Sequence, residues 1–169
     1  MRKILKVLLG GAAASASVAP AFAQNSVTGL GTGNVTIISP LTVTQTVPMS
    51  FGRIVKPASA GTVVLTAANS PTYNGLQSVG TPTTTVATFN VVGDGASTYS
   101  IASDSSFSMT GAGAAITVKP ILSSASGTLT GSAGTTITSS FTVGGTMSLA
   151  ASQAAGAYTG TFHVMVAYD

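Results

Sequence analysis

The side chains that could carry chemistry are few in this sequence. It has one histidine, three acidic residues, all of them aspartate, and no cysteine. A nucleophile–base–orienter triad would need His163, an aspartate and a serine or threonine in mutual reach, but serine and threonine are too abundant here to mark a nucleophile. His163 alternates out of phase with the apolar residues around it, and Asp94 and Asp104 lie in turn-like segments. These patterns predict surface and turn residues, and therefore no enzyme.

Metal, cofactor and sugar-cleaving sites have equally little support. Zinc sites use several His or Cys ligands and calcium loops use clustered carboxylates, and the sequence has neither pattern. A carboxylate pair for glycoside hydrolysis would have to be Asp94 with Asp104, and turn chemistry explains both. The glycine-rich segment GLGTGN at residues 29–34 has no strand before it and no helix after it, unlike a phosphate-binding loop. We predict no catalytic, cofactor-binding or metal-binding residues, and no cofactor.

The elements that must position these residues are β-strands. Short runs rich in Thr, Val and Ile recur between turns that contain Gly or Pro, and no segment keeps helical periodicity. Apolar residues make up 44% of the chain and charged residues only 5%, which is the reverse of a disordered composition. We predict an all-β sandwich, with a turn at the Gly144-Gly145 pair and a loop over residues 123–134. The predicted strands cover residues 34–38, 41–47, 61–67, 85–92, 98–102, 115–122, 135–143, 146–151 and 158–168.

The first 23 residues match a secretory signal peptide. Arg2, Lys3 and Lys6 precede an apolar stretch that ends in the small-residue site Ala-Phe-Ala. Lys6 and the Gly and Ser residues at positions 10, 11, 15 and 17 leave only short apolar runs, whereas a membrane-spanning helix needs about 20 apolar residues. Cleavage after Ala23 would leave three cations and three aspartates, a net side-chain charge of zero, so no basic surface for nucleic acid remains. We expect export through the Sec pathway into the periplasm, and no nucleic-acid partner.

A protein embedded in a membrane through strands would carry aromatic residues at both interfaces. The sequence has no Trp and only four Tyr. We therefore expect a protein that is not embedded in a membrane.

Two segments predict strand pairing between molecules. In the last segment, apolar residues alternate with polar ones from Gly156 onward, and the sequence as given stops one residue after Tyr168. Near the other end, residues 24–37 are rich in glycine and hold Val27, Val35 and Ile37 at alternating positions, with Leu30 as a further candidate. Edge strands normally carry charge or Pro to prevent strand addition, and this chain has little of either.

The last segment resembles the terminal strand of pilins assembled by the chaperone–usher pathway. The resemblance rests on a Gly fourteen places from the end, alternating apolar residues and a penultimate Tyr. In this sequence these residues are Gly156, Tyr158, Gly160, Phe162, Val164, Val166 and Tyr168. The stretches PLTVTQTVPMSFGRI and VGGTMSLAASQAAGAYTGTFHVMVAYD are similar to the bacterial family filed as domain of unknown function 4402, whose members are secreted β-sandwich proteins similar to fimbrial subunits.

This resemblance implies an immunoglobulin-like sandwich over residues 38–169 that lacks its last strand. A periplasmic chaperone would fill the gap first, by contact with the strand from Gly156 to Tyr168. The N-terminal extension of the next copy, residues 24–37, would then replace it at an outer-membrane usher. The plugs of that donor strand would be Val27, Leu30, Val35 and Ile37, and the product would be a fimbrial filament of many copies on the cell surface.

One alternative remains open from the sequence. The three glycines at positions 29, 31 and 33 weaken a strand, so residues 24–37 could be a linker. The protein would then be a self-contained secreted or periplasmic sandwich, acting as a binding or coat module without forming filaments.

Overall fold

The computed structural model describes residues 27–169. The predicted signal peptide and residues 24–26 of the predicted donor segment lie outside the described residues. Residues 35–169 form one compact unit, and the described range contains strands but no helix. The strands are β1 (Thr42–Val47), β2 (Gly61–Leu65), β3 (Pro71–Asn74), β4 (Ala87–Asp94), β5 (Ser97–Ser103), β6 (Phe107–Gly111), β7 (Ile116–Leu122), β8 (Ser126–Leu129), β9 (Thr136–Leu149), β10 (Tyr158–Thr159) and β11 (Val164–Tyr168).

The larger sheet is organised around β9, whose 14 residues let different strands pair with its two halves. β4 pairs antiparallel with the first half, and β2 and β7 flank the second half. β1 lies beyond β4, β3 lies beyond β2, and β6 and β10 lie beyond β7. The smaller sheet has three antiparallel strands in the order β11-β5-β8. The predicted all-β sandwich is therefore confirmed.

Alternating burial on these strands produces two separate clusters of apolar side chains. The sandwich core takes residues from both sheets: Ala87, Phe89, Val91, Tyr99, Ile101, Leu129, Phe141 and Val143. The cleft-side core consists of Phe51, Val63, Leu65, Leu76, Ile116, Val118, Met147 and Leu149. No member of the cleft-side core belongs to the smaller sheet, so connecting segments must cover this end of the larger sheet.

The predicted turn at Gly144-Gly145 is wrong, because both glycines lie inside β9. A Cβ on Gly144 would collide with the backbone of Leu65 and would come within 2.7 Å of the carbonyl carbon of Thr66. Close approach of two backbones requires glycine within a strand. The pair therefore marks a crossing of chains and not a reversal of direction.

Two further predictions were wrong. Residues 34–38 are not in a strand, although their alternation resembled one. Residues 123–134 were predicted as a loop, and they contain β8. β3 and β6 carry too few apolar residues for the pattern to have identified them.

Candidate functional site

A cleft of about 620 Å³ opens onto the cleft-side core. Its floor includes Met109 of β6, Ile116 of β7 and Met147 of β9, and its walls are formed by residues 45–57 and 153–162. No residue of the three strands in the smaller sheet lines the cleft. The cleft therefore lies where the second layer of the sandwich stops.

The first wall is fixed by backbone pairing. The N–H of Ser50 donates to the carbonyl oxygen of Thr85 at 2.8 Å, and the N–H of Thr85 donates back at 3.0 Å. Further along, the N–H of Val55 donates to the carbonyl oxygen of Gln77 at 2.9 Å. No sequence pattern predicted this wall, because its residues lie mostly outside regular strands.

The second wall is fixed by two side chains. The buried Gln153 donates from Nε2 to the carbonyl oxygen of Ala114 at 2.6 Å, and the hydroxyl of Tyr158 donates to the carbonyl oxygen of Ala154 at 2.9 Å. Buried amide and hydroxyl groups that find such partners stabilise one local geometry. Both walls are held by contacts within the chain, so the cleft is preformed.

The continuous strand predicted over residues 158–168 is interrupted. β10 pairs with β6 of the larger sheet, whereas β11 pairs with β5 of the smaller sheet. Glycines flank β10. Before it, Gly156 has a φ of +150°, and a Cβ there would lie 2.5 Å from that of Ala112. A Cβ on Gly160 would come within 3.0 Å of the Cα of Met109. Strands that switch sheets bend at such points.

The predicted alternation nevertheless persists through the interruption. The large side chains of the predicted face are all half-buried, and the residues between them are exposed: Tyr158, Phe162, Val164, Val166 and Tyr168 form the half-buried set. β11 is also the outer strand of its sheet, and among the described residues it pairs with β5 alone. This strand therefore presents a free backbone edge next to apolar side chains that are only partly covered.

The two ends of this strand differ in their cover. Around β11, Leu41 and Val43 pack with Val164, Val166 and Tyr168 against the sandwich core. Around β10, the cleft is open. The sandwich is therefore closed by its own residues at one end and open at the other.

The hydroxyl of Tyr168 joins three segments of the chain. It accepts a hydrogen bond from the N–H of Asp94 at 2.7 Å and donates to the carbonyl oxygen of Ser39 at 2.9 Å. A Cβ on Gly93 would collide with this hydroxyl and would come within 2.7 Å of Leu41. Ser39 lies two residues after the end of the predicted donor segment, so this contact holds the chain close to the point at which that segment ends.

Asp94 and Asp104 serve different local structures. Asp94 is the last residue of β4 and only 1% exposed, and its Oδ1 accepts from the N–H of Gly134 at 3.0 Å. Asp104 accepts at Oδ2 from the backbone N–H of His163 at 2.8 Å, and Nδ1 of the same histidine lies 3.1 Å away. The backbone hydrogen bond from His163 holds the pKa of Asp104 below its usual value. This pair was not predicted, and it ties the segment between β10 and β11 to the end of β5.

The predicted donor residues within the described range have exposed side chains. Val35 and Ile37 are each 85% exposed, and Val27 and Leu30 are also exposed. Residues 27–41 contain no strand. Val35 and Ile37 thus expose β-branched side chains at alternate positions outside the described strands.

The fold and this site define a class: an all-β sandwich with a preformed cleft that extends to Phe162, two residues before the outer strand β11. A family model with the description Domain of unknown function (DUF4402) matches residues 41–168, and the chain belongs to this family. No curated protein and no solved structure matches the chain. Within residues 27–169 no helix is long and apolar enough to cross a membrane. The same residues contain no group of three or more His, Cys, Asp or Glu that could hold a metal.

Proposed function

We propose that this protein is a structural subunit of a bacterial surface filament, in which each copy completes the sandwich of the next by donating a strand. The observation that carries the proposal is the preformed cleft together with the free edge of β11, a strand that begins two residues after the cleft residue Phe162. Strand addition uses both features, because the edge supplies backbone hydrogen bonds and the cleft accepts alternate side chains. The immunoglobulin-like topology, with its last strand missing, is part of this proposal.

The donor is residues 24–37 of a neighbouring copy. Burying Val35 and Ile37 in the cleft would contribute about 1.5–3 kcal/mol for each side chain. Backbone hydrogen bonds between the donor and β11 would add to this free energy of binding, because they satisfy the N–H and C=O groups on the outer edge of β11 that the donor removes from water. Addition from head to tail does not close on itself, so the product is an open filament.

The contact between Tyr168 and Ser39 favours a donor from another copy over a donor from the same chain. Because Ser39 is held at the Tyr168 end of β11, a segment that folded back along its own β11 would have to run parallel to it. In a parallel register with Ser39 opposite Tyr168, residues 33, 31 and 29 of the donor segment lie opposite residues 162, 160 and 158 of the same chain. These three donor residues are glycines, so the cleft would receive no plug.

A donor from another copy has no such restriction on its direction. Antiparallel to β11, it would bring Val35 and Ile37 to the open end, beside Phe162. Its glycines would then cross the end that Leu41 and Val43 already close. Antiparallel pairing is also slightly more stable per residue than parallel pairing. The donor segment therefore has its apolar residues where the acceptor is open and its glycines where the acceptor is already closed.

Export and assembly partners belong to the same proposal. The predicted signal peptide would deliver the chain to the periplasm, where a chaperone strand would cover the cleft. An outer-membrane usher would exchange that strand for the donor of the next copy, and the filament would lie on the cell surface. The neutral charge after cleavage leaves apolar and backbone contacts as the main source of affinity.

The test is assembly of purified protein with and without the donor. The full chain should form ladders on a denaturing gel that disappear on boiling, and deletion of residues 24–37 should abolish them. A matched control replaces Val35 and Ile37 with Ser and leaves chain length unchanged, and it should abolish the ladders as well. Ladders that persist in both variants would remove residues 24–37 from the proposal.

A second candidate function is a self-contained secreted sandwich that binds or coats without polymerising. It is favoured by the closed end of the sandwich, where Leu41, Val43 and the Tyr168 hydroxyl already provide cover from the same chain. This candidate predicts a stable monomer by sedimentation at all concentrations. The filament proposal instead predicts association that depends on residues 24–37.

A further inference from the structure

The cleft concentrates the methionines of the described chain. Of the four methionines between residues 27 and 169, Met49, Met109 and Met147 line the cleft, and Met165 lies on the opposite, outward side of β11. Met165 is 70% exposed, Met49 and Met109 are half-buried, and Met147 is only 3% exposed. The four thioethers thus form a graded series in which two reachable ones lie inside the cleft.

A thioether is open to one well-defined modification in an exported protein. Hypochlorous acid transfers its oxygen atom to the sulfur lone pair, so an S–O bond forms, the O–Cl bond breaks and chloride leaves with a proton. The sulfur loses two electrons and the oxidant gains them; hydrogen peroxide reacts in the same way and leaves water. The product, methionine sulfoxide, is polar where the thioether was apolar.

We propose that Met49 and Met109 are oxidation sites through which hypochlorous acid or peroxide removes the ability of the cleft to take up an apolar segment. The identification of the apolar segment as residues 24–37 of another copy rests on the proposed function, whereas the oxidation of the two methionines does not. The chain has no cysteine, so methionine sulfur is the most readily oxidised group it offers. A sulfoxide oxygen in an apolar wall must either be buried without a partner or turn outward and open the wall.

Met49 is the more consequential of the two positions. It packs against both the cleft-side core and the sandwich core, so it lies at the junction between the open and closed ends. Met109 packs only against the cleft-side core, and it lies beside Gly160 at the second wall. Oxidation at both sites would place one polar group in the first wall and another in the floor of the cleft that a plug such as Ile37 would enter.

The experiment oxidises the purified protein with graded hypochlorous acid and maps each sulfoxide by peptide mass spectrometry. At each dose the affinity is measured for two probes: a synthetic peptide of residues 24–38, and the dye 8-anilinonaphthalene-1-sulfonate, which reports on apolar clefts. Met165 should be modified first, Met49 and Met109 next, and Met147 last. Affinity for both probes should be unchanged while only Met165 is modified, and should fall at least tenfold as Met49 and Met109 are modified.

Two variants with Leu in place of Met provide the control. For each variant, the affinity for both probes is compared before and after the same dose of hypochlorous acid. Met165→Leu should lose affinity on oxidation as the wild type does, whereas the Met49→Leu/Met109→Leu protein should keep its starting value. If that double variant does not fold, the two single variants should each show a smaller loss than the wild type.

The outcomes separate this inference from the proposed function. Unchanged dye and peptide affinity with Met49 and Met109 fully oxidised would overturn it, as would an equal loss in the protected variants. Loss of dye affinity in a protein whose reduced form never binds the peptide would support the oxidation sites and reject the donor.

Discussion

Replacing Tyr168 with Phe removes one oxygen atom and leaves the ring that packs on the sandwich core. The Asp94 N–H would lose its acceptor, and the Ser39 carbonyl oxygen would lose its donor. An unsatisfied partly buried donor costs about 1–3 kcal/mol and a lost neutral hydrogen bond about 0.5–1.5 kcal/mol. We therefore expect the variant to be about 2–4 kcal/mol less stable, which for a domain of this size lowers Tm by roughly 5–15 °C.

The assay is urea unfolding of the full chain at a concentration where sedimentation shows one species. Tyr158→Phe is the matched control, because that hydroxyl makes a single hydrogen bond, to Ala154, and its loss should cost only about 0.5–1.5 kcal/mol. Hydrogen exchange at the Asp94 amide should accelerate in Tyr168→Phe and not in the control. Equal unfolding free energies for Tyr168→Phe and the wild type would refute the role of this hydroxyl as a link between segments.

Three further perturbations test other parts of the structure. Val164→Asp places a charge on the inward side of β11 and should abolish accumulation of the protein in cells, whereas His163→Ala, on the outward side, should be mild. Equal levels of the two variants by immunoblot would argue against an inward apolar face. Gly144→Ala should prevent folding or cost more than about 3 kcal/mol by circular dichroism, because its Cβ would collide with the backbone of Leu65; a wild-type unfolding curve would contradict the close crossing. The pKa of Asp104 is lowered in the folded state, so the ionised carboxylate stabilises the fold above the usual aspartate pKa of about 3.9, and this stabilisation is lost as pH falls through the lower folded value. The urea midpoint of Asp104→Ala should therefore differ from that of the wild type at pH 6 and converge with it in acid. A difference that persists in acid would count against this contact.

Alternation of apolar residues predicted much of the fold because it reports directly on strands with one buried face. β1, β2 and β7 lie within the predicted segments, whereas β4 runs two residues past the end of its segment and β5 extends one residue beyond each end of its segment. The pattern did not predict the structure correctly where a glycine inside a strand allows another backbone to approach closely. A Gly-Gly pair is typical of a turn, and a sequence does not show that the backbone of Leu65 and Thr66 lies against Gly144.

The candidate site was predicted in part for a related reason. The inward face from Tyr158 to Tyr168 was identified by its period of two, which survives the change of sheet at Gly160. The walls of the cleft were missed, because residues 48–57 are positioned by backbone bonds to distant residues such as Thr85 and Gln77. The hydrogen bond from Tyr168 to Ser39 joins residues 129 positions apart, and only the folded chain reveals it.

The donation of a strand between copies can be tested most directly by disulfide trapping, since the chain has no cysteine of its own. One protein carries Thr36→Cys, on the outward side between the two plugs, and is mixed with a second protein that carries either Thr161→Cys or Ala167→Cys. All three positions are exposed, and a disulfide forms only when Cβ atoms approach within about 4.5 Å. An antiparallel donor from another copy predicts a cross-linked dimer with the Thr161→Cys protein and none with the Ala167→Cys protein. A dimer only with Ala167→Cys, or no dimer with either, would contradict the account.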